Sequence, residues 1–165
     1  GARVGSPRAL RLDDGRMRLY FHRYPEPVEE RLDRGNHVLS AISRDGLAFD
    51  LEPGVRLAQT DPRERGAVYC ASMVSLGEGR VRAYYGAWSG GPGALGAVMT
   101  ALSEDGGLTF MKDKAPCIAP TPSSPDASFA SEPCVFRDRS GVARMVYEAC
   151  DERGMTRILA AAEGG

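Results

Sequence analysis

Trp88 is the only tryptophan of the chain, and Tyr84 and Tyr85 run just ahead of it. Flat aromatic rings of this kind stack on the apolar faces of sugar rings. The stretch Ala87-Trp88-Ser89-Gly90-Gly91-Pro92-Gly93 puts the indole at a strand end beside a glycine-rich loop, where it is open to a ligand, although large aromatics usually pack inside. Tyr84 and Tyr85 point to opposite sides of one strand, so at least one of them belongs to the core. Trp88, Tyr85 and the cation Arg8 are the candidate substrate-binding residues. Gly90-Gly91-x-Gly93 is not followed by a helix, so a phosphate cradle is not expected. Cys70, Cys117, Cys134 and Cys150 show no CxxC spacing, and His22 and His37 lie far from them. No metal site and no cofactor are expected. Cys70 and Cys134 fall in apolar strands, where a reduced thiol behaves as a small hydrophobe.

Composition narrows the partners. The 165 residues carry a net charge of −1, and 42% of them are hydrophobic, enough to bury the core of one domain. The basic residues are nearly all Arg and are scattered, so nucleic acid is not the expected partner. No apolar run is long enough to cross a bilayer as a helix, and no leader pattern is visible after Gly1. The compartment is left open.

The elements that must position these groups repeat. Ser6-Pro7-Arg8-Ala9-Leu10 leads through Gly15 to Arg18-Leu19-Tyr20-Phe21. Cys70-Ala71-Ser72-Met73-Val74 leads through Gly79 to Arg82-Ala83-Tyr84-Tyr85, and Glu132-Pro133-Cys134-Val135-Phe136 through Gly141 to Arg144-Met145-Val146-Tyr147. The three glycines are 64 and then 62 residues apart. Each phrase reads as an apolar strand, a glycine turn, a second strand, a longer loop and a third strand, because Asp-Gly and Glu-Gly between β-rich runs close hairpins. In the first unit the strands are expected at 8–12, 18–24 and 37–42, with a fourth near 55–58. In the second, the third and fourth strands fall at 97–102 and 115–119. Four antiparallel strands in a unit of this length describe a propeller blade, and no amphipathic helix interrupts them.

The expected fold is all-β: four-stranded antiparallel meanders forming a partial β-propeller over residues 1–165, with blades at about 6–60, 68–120 and 131–165. Two full units and three quarters of another do not close a ring. The apolar blade faces then call for a homodimer that completes it, or for a longer chain. Two irregular connections, the charged segment 25–35 and the Pro/Ser-rich segment 119–126, interrupt the units.

Ser103-x-Asp105-x-Gly107-x-Thr109-Phe110 resembles the Asp-box of sialidases and related propellers, and Ser43-x-Asp45-Gly46-x-x-Phe49 resembles its shortened form. In such turns Ser and Asp satisfy backbone donors and Gly supplies the unusual φ. Ser43, Asp45, Ser103, Asp105 and Gly107 are therefore read as turn-shaping residues. Glu132-Pro133-Cys134-Val135-Phe136 with its Gly141 turn, and Tyr84-Tyr85-Gly86-Ala87, resemble the blade phrases of the five-bladed propeller glycosidases: the arabinanase, β-xylosidase, invertase and levansucrase clan.

That resemblance implies catalytic carboxylates at the starts of the innermost strands, around the mouth of a central channel. One protonates the leaving oxygen and another attacks the sugar or activates water. The matching positions here are Ser6, Cys70 and Glu132, of which only Glu132 is a carboxylate, so Glu132 is the candidate general acid. A second carboxylate would have to come from Asp61, from Asp126 or from another chain. Two functions follow, a glycoside hydrolase-like propeller or a non-catalytic module for glycan binding or protein assembly. Both have carbohydrate as the expected ligand.

Overall fold

A computed structural model describes residues 3–24, 36–91 and 93–162, and the side chains of Cys70 and Ala71 lie outside the description. The segment 25–35, expected as a charged loop, also lies outside it. The first blade contains β1 (Arg3–Arg11), β2 (Met17–Tyr24), β3 (His37–Ser43) and β4 (Asp50–Leu51), paired antiparallel in that order. The second contains β5 (Ala67–Gly77), β6 (Arg80–Trp88), β7 (Gly96–Ser103) and β8 (Met111–Lys112), and the third β9 (Phe129–Arg137), β10 (Ala143–Cys150) and β11 (Thr156–Ala162). Glycine turns join the first two strands of every blade, with Gly15, Gly79 and Gly141 at φ of 87°, 72° and 85°, a region that a Cβ disfavours.

The fourth strands differ from the expectation. Segments 55–58 and 115–119 each make a single bridge, Val38 to Leu57 and Val98 to Ile118. The two-residue ladders sit earlier, directly after the Ser-x-Asp turns, where Asp50 and Met111 pair with Ile42 and Leu102. Among the described residues no fourth strand follows β11. Blades two and three also join edge to edge through a parallel bridge from Gly96 to Phe129. A Cβ on Gly96 would stand 2.7 Å from that of Phe129, so only glycine permits this approach.

Strand alternation gives each blade two apolar faces. Leu10, Tyr20, Val38 and Leu57 of the first blade meet Val68, Met73, Val81, Ala83, Tyr85 and Met99 of the second in one core. On the other face of the second blade, Val98 meets Ala130, Met145, Tyr147 and Ala149 of the third. The cores thus lie between blades, as a propeller requires.

Polar contacts tie the first two blades together as well. Gly106, Gly107 and Leu108, in the turn before β8, offer their carbonyls to the Arg18 guanidinium, the Tyr20 hydroxyl and Arg56 Nη1. Arg18 is held in turn by Glu52, with Nε and Nη2 at 2.7 and 2.8 Å from its two oxygens. Gly107 is required here: its φ is 89°, and an added Cβ would lie 2.0 Å from Tyr20 Oη.

Candidate functional site

Ser6, Cys70 and Glu132 are each the fourth residue of their strand, in β1, β5 and β9. They do not open their strands, as the sequence suggested, but stand where each strand bulges. One extra residue is accommodated between Gly5 and Arg8, between Cys70 and Ser72, and opposite the Val146–Glu148 step. Such bulges bend a strand and re-aim its side chains. Ser6 and Glu132 adopt φ of 47° and 46°, and each precedes a proline, which further restricts the backbone. Non-glycine residues in this region cost roughly 1–3 kcal/mol and cluster at functional sites.

The bulges bring the first and third blades into contact. Arg8 Nη2 donates to Glu132 Oε2 at 3.0 Å, across 124 residues of sequence, and Nη1 donates to Pro7 O at 3.0 Å. Between them in chain order stands β5, whose Ser72 Oγ accepts from Val135 N at 3.2 Å. The inner strands of all three blades therefore converge.

Glu132 is half-buried, and burial is the largest influence on its carboxyl, raising the pKa above the usual carboxylate range. The Arg8 charge pulls it down and the Glu148 charge pushes it up. Glu148, on β10 opposite Ser131, accepts from Ser131 Oγ at 3.1 Å. This second carboxylate was not singled out in the sequence. Its signal is positional: His22, Gly86 and Glu148 occupy one repeat position, opposite Gly5, Tyr69 and Ser131.

His22 completes this end of the first blade. It is fully buried with both ring nitrogens unpartnered, edge-on to Tyr24 and Tyr69 at centroid distances of 4.5 and 5.5 Å. Burial first, and then the Arg8 charge, lower its pKa from 6.5 to about 4. The folded protein therefore holds this imidazole neutral at a pH where the unfolded chain protonates it. The stability so gained is complete above 6.5 and disappears as pH falls toward 4, by about 3 kcal/mol at 1.36 kcal/mol per pKa unit. Urea unfolding between pH 7 and 4 is expected to show this slope in the natural protein and not in His22→Phe, and equal slopes would contradict it.

The other candidates lie elsewhere. Asp61 caps a 3-10 turn at Pro62–Glu64 and pairs with Arg63, Oδ2 to Nη2 at 2.7 Å, which with the backbone bond from Arg63 holds its carboxyl well below the usual range. Asp126 is 8% exposed and accepts from the Tyr147 hydroxyl at 3.1 Å and from Ser124 Oγ. Burial, and then Asp126, push the Tyr147 phenol up to about 12. Tyr85, expected as a sugar contact, is fully buried and donates to Glu64 Oε1 at 2.9 Å. Trp88 is half-buried, tilted 52° against Phe129 at 5.3 Å. Cys134, expected in the core, is exposed, because alternation along β9 turns it to the outer face of the third blade.

The Ser-x-Asp turns are saturated with local bonds. Asp45 Oδ1 accepts from the amides of Leu47 and Ala48 and from Ser43 Oγ, all within 3.0 Å, and these bonds lower its pKa to about 2. Asp105 accepts in the same way from Leu108, Thr109 and Ser103, and Ser103 Oγ takes the Gly107 amide at 2.8 Å. Among the described residues no cluster of three or more His, Cys, Asp or Glu could hold a metal ion, and no helix is long and apolar enough to cross a membrane.

No family model matches the chain, and no curated protein matches it in sequence. Solved structures do resemble it. Sucrose-6-phosphate hydrolase from Lactobacillus gasseri superposes with a TM-score of 0.79 at 16% identity, over 97% of this chain and 32% of that one. A family 117 glycoside hydrolase of the marine bacterium Zobellia galactanivorans gives 0.75 at 16% identity, over 98% and 52%. Endo-arabinase from Bacteroides thetaiotaomicron gives 0.70 at 14% identity, over 100% and 60%. The chain thus has the all-β fold of the propeller glycoside hydrolases, and it spans between a third and three fifths of the length of these three structures.

Proposed function

We propose that this chain is a carbohydrate-directed, glycoside hydrolase-like propeller in which Glu132 is the general acid. The observation that carries this reading is the strained bulge that sets a half-buried carboxylate, with a raised pKa, where three inner strands meet. A group that must give up a proton to a leaving oxygen needs that environment. Glu148 supplies the second carboxylate, which glycoside hydrolysis requires. The Ser-x-Asp turns are read as Asp-box structural turns, since local donors occupy both Asp side chains. The experiment is a panel of nitrophenyl glycosides and reducing-sugar assays on glycans, comparing the natural protein with Glu132→Gln. Negligible turnover in both removes the hydrolase reading.

A non-catalytic glycan-binding module is the second reading. It is favoured by the neutral residues Ser6 and Cys70 at the other two bulges, and by Asp61 and Asp126 being tied into local structure.

We also infer that a second copy covers the outer face of the third blade. Val38, Val98 and Ile158 pair with His22, Gly86 and Glu148 and so share one repeat position. The first two are 0% exposed between blades, whereas Ile158 is 71% exposed. Leu19, Phe21 and Leu39 form the matching apolar face of the first blade, by alternation with Tyr20 and Val38 of the core. Blade three of one copy against blade one of the next continues the stacking seen within the chain, and two such contacts close with two-fold symmetry. Light scattering is expected to give about twice the 17.7 kDa chain mass, and Ile158→Asp to return it to one. A natural protein that is strictly monomeric ends this inference.

A further inference from the structure

The Arg8–Glu132 pair does not serve stability well. Its side chains are 35% and 39% exposed, and ion pairs in such surroundings contribute roughly 0–1 kcal/mol, less than the strain that the flanking bulges store. The pair also opposes the acid role, because a guanidinium beside a carboxylate favours its ionised form. A general acid has to carry its proton when the substrate arrives, so the contact must open first.

The surroundings limit what can open it. Burial and the Glu148 charge both favour a protonated Glu132, and Arg8 alone opposes them. Glu148 is engaged by Ser131 Oγ. His22, the other titratable group beside Arg8, is buried and neutral, so it provides no anion to which Arg8 could turn. The competing anion has to come with the ligand. Its natural form is a carboxylate, whose two oxygens match the fork of a guanidinium and bind it bidentately.

We propose that the glycan recognised here carries a carboxylate, that is, a uronic acid unit, which takes Arg8 from Glu132 as it binds. This rests on the reading of Glu132 given above. On exchange the incoming negative charge settles on Arg8, and Glu132, left with its burial and with Glu148, takes up one proton from solvent. No covalent bond changes in this step. A neutral glycan leaves Arg8 on Glu132 and the acid ionised. The anionic substrate thereby arms the group that cleaves it.

The test is a calorimetric titration of the whole chain with trigalacturonate and with its fully methyl-esterified form, which differs only in charge. The natural protein is expected to bind the acid at least tenfold more tightly, with about one proton taken up per ligand bound, read from the buffer dependence of the heat. Glu132→Gln, which removes the competitor for Arg8, is expected to bind the acid more tightly still and to abolish the uptake. Arg8→Met is expected to bring the two affinities together. Equal affinity of the natural protein for acid and ester, or binding of neither, overturns the proposal without any variant having to fold, and so does a preference that survives Arg8→Met. Turnover on the glycoside panel that depends on Glu132 but not on substrate charge removes this inference alone. Absent turnover with an intact acid preference removes the hydrolase reading and leaves carboxylate recognition standing.

Discussion

Glu132→Gln is expected to lower kcat by about 10²–10⁴-fold on a glycoside with a basic leaving group, the range over which positioned proton donors act. Gln keeps the shape of the side chain and can still accept from Arg8 Nη2, so the fold and KM should change little. What it cannot do is deliver a proton. The deficit should therefore shrink for nitrophenyl leaving groups, which depart without help, and grow for alkyl or sugar alcohols. The alkaline limb of the natural pH profile, which reports loss of that proton, should lie above the ordinary carboxylate range, in keeping with the raised pKa of Glu132, and should vanish in the variant. A uniform loss across all leaving groups would instead mark Glu132 as a positioning residue.

Glu64→Ala is expected to destabilise the fold by about 3–5 kcal/mol, the cost of leaving a buried charge without its partner. Glu64 is 0% exposed, and its oxygens accept from Lys112 Nζ at 2.7 Å each, from the Tyr85 hydroxyl at 2.9 Å, and from the amides of Thr60 and Asp61 at 2.8 and 3.0 Å. Truncation strands all of these donors at once. The Tyr85 phenol, held above its ordinary range by burial and by the Glu64 charge, would lose its acceptor as well. For a chain of this length the loss corresponds to a Tm lower by roughly 10 °C or more, measurable by calorimetry. A shift of only a degree or two would show that water reaches the site and replaces the carboxylate. Lys112→Met is the milder change, because it removes the charge rather than its neutraliser.

Much of the architecture was legible in the chain because the repeat shows itself through residues with steric jobs. Gly15, Gly79 and Gly141 must accept positive φ, and the alternating runs that follow can pair only as strands. The fourth strands were misplaced because 55–58 and 115–119 are apolar and read as ladders, whereas Leu57 and Ile118 are anchors that make one bridge each. Side-chain destinations were harder. Tyr85 looked like a sugar platform because its acceptor, Glu64, lies 21 residues earlier in a stretch that reads as a charged loop. Asp126 and Tyr147 repeat that relation in the third blade, but Glu in one unit and Asp in the other disguise it. Glu132 was visible from its place before Pro133. Glu148 was not, since its neighbourhood arises from cross-strand pairing and the sequence around it carries no turn or motif.

The turn over 106–108 has one more implication, for how the molecule comes apart. Its three carbonyls are occupied by side chains of the preceding blade, so separating blades one and two would expose apolar faces and orphan those acceptors together. At the next junction the polar ties are fewer: Val135 to Ser72 and the single bridge at Gly96. Loosening should therefore begin at the third blade, and Glu132 rides on it while Arg8 stays with the more firmly joined pair. The catalytic carboxylate and its cation belong to different cooperative units, so slight swinging of one blade changes the distance between them without unfolding either.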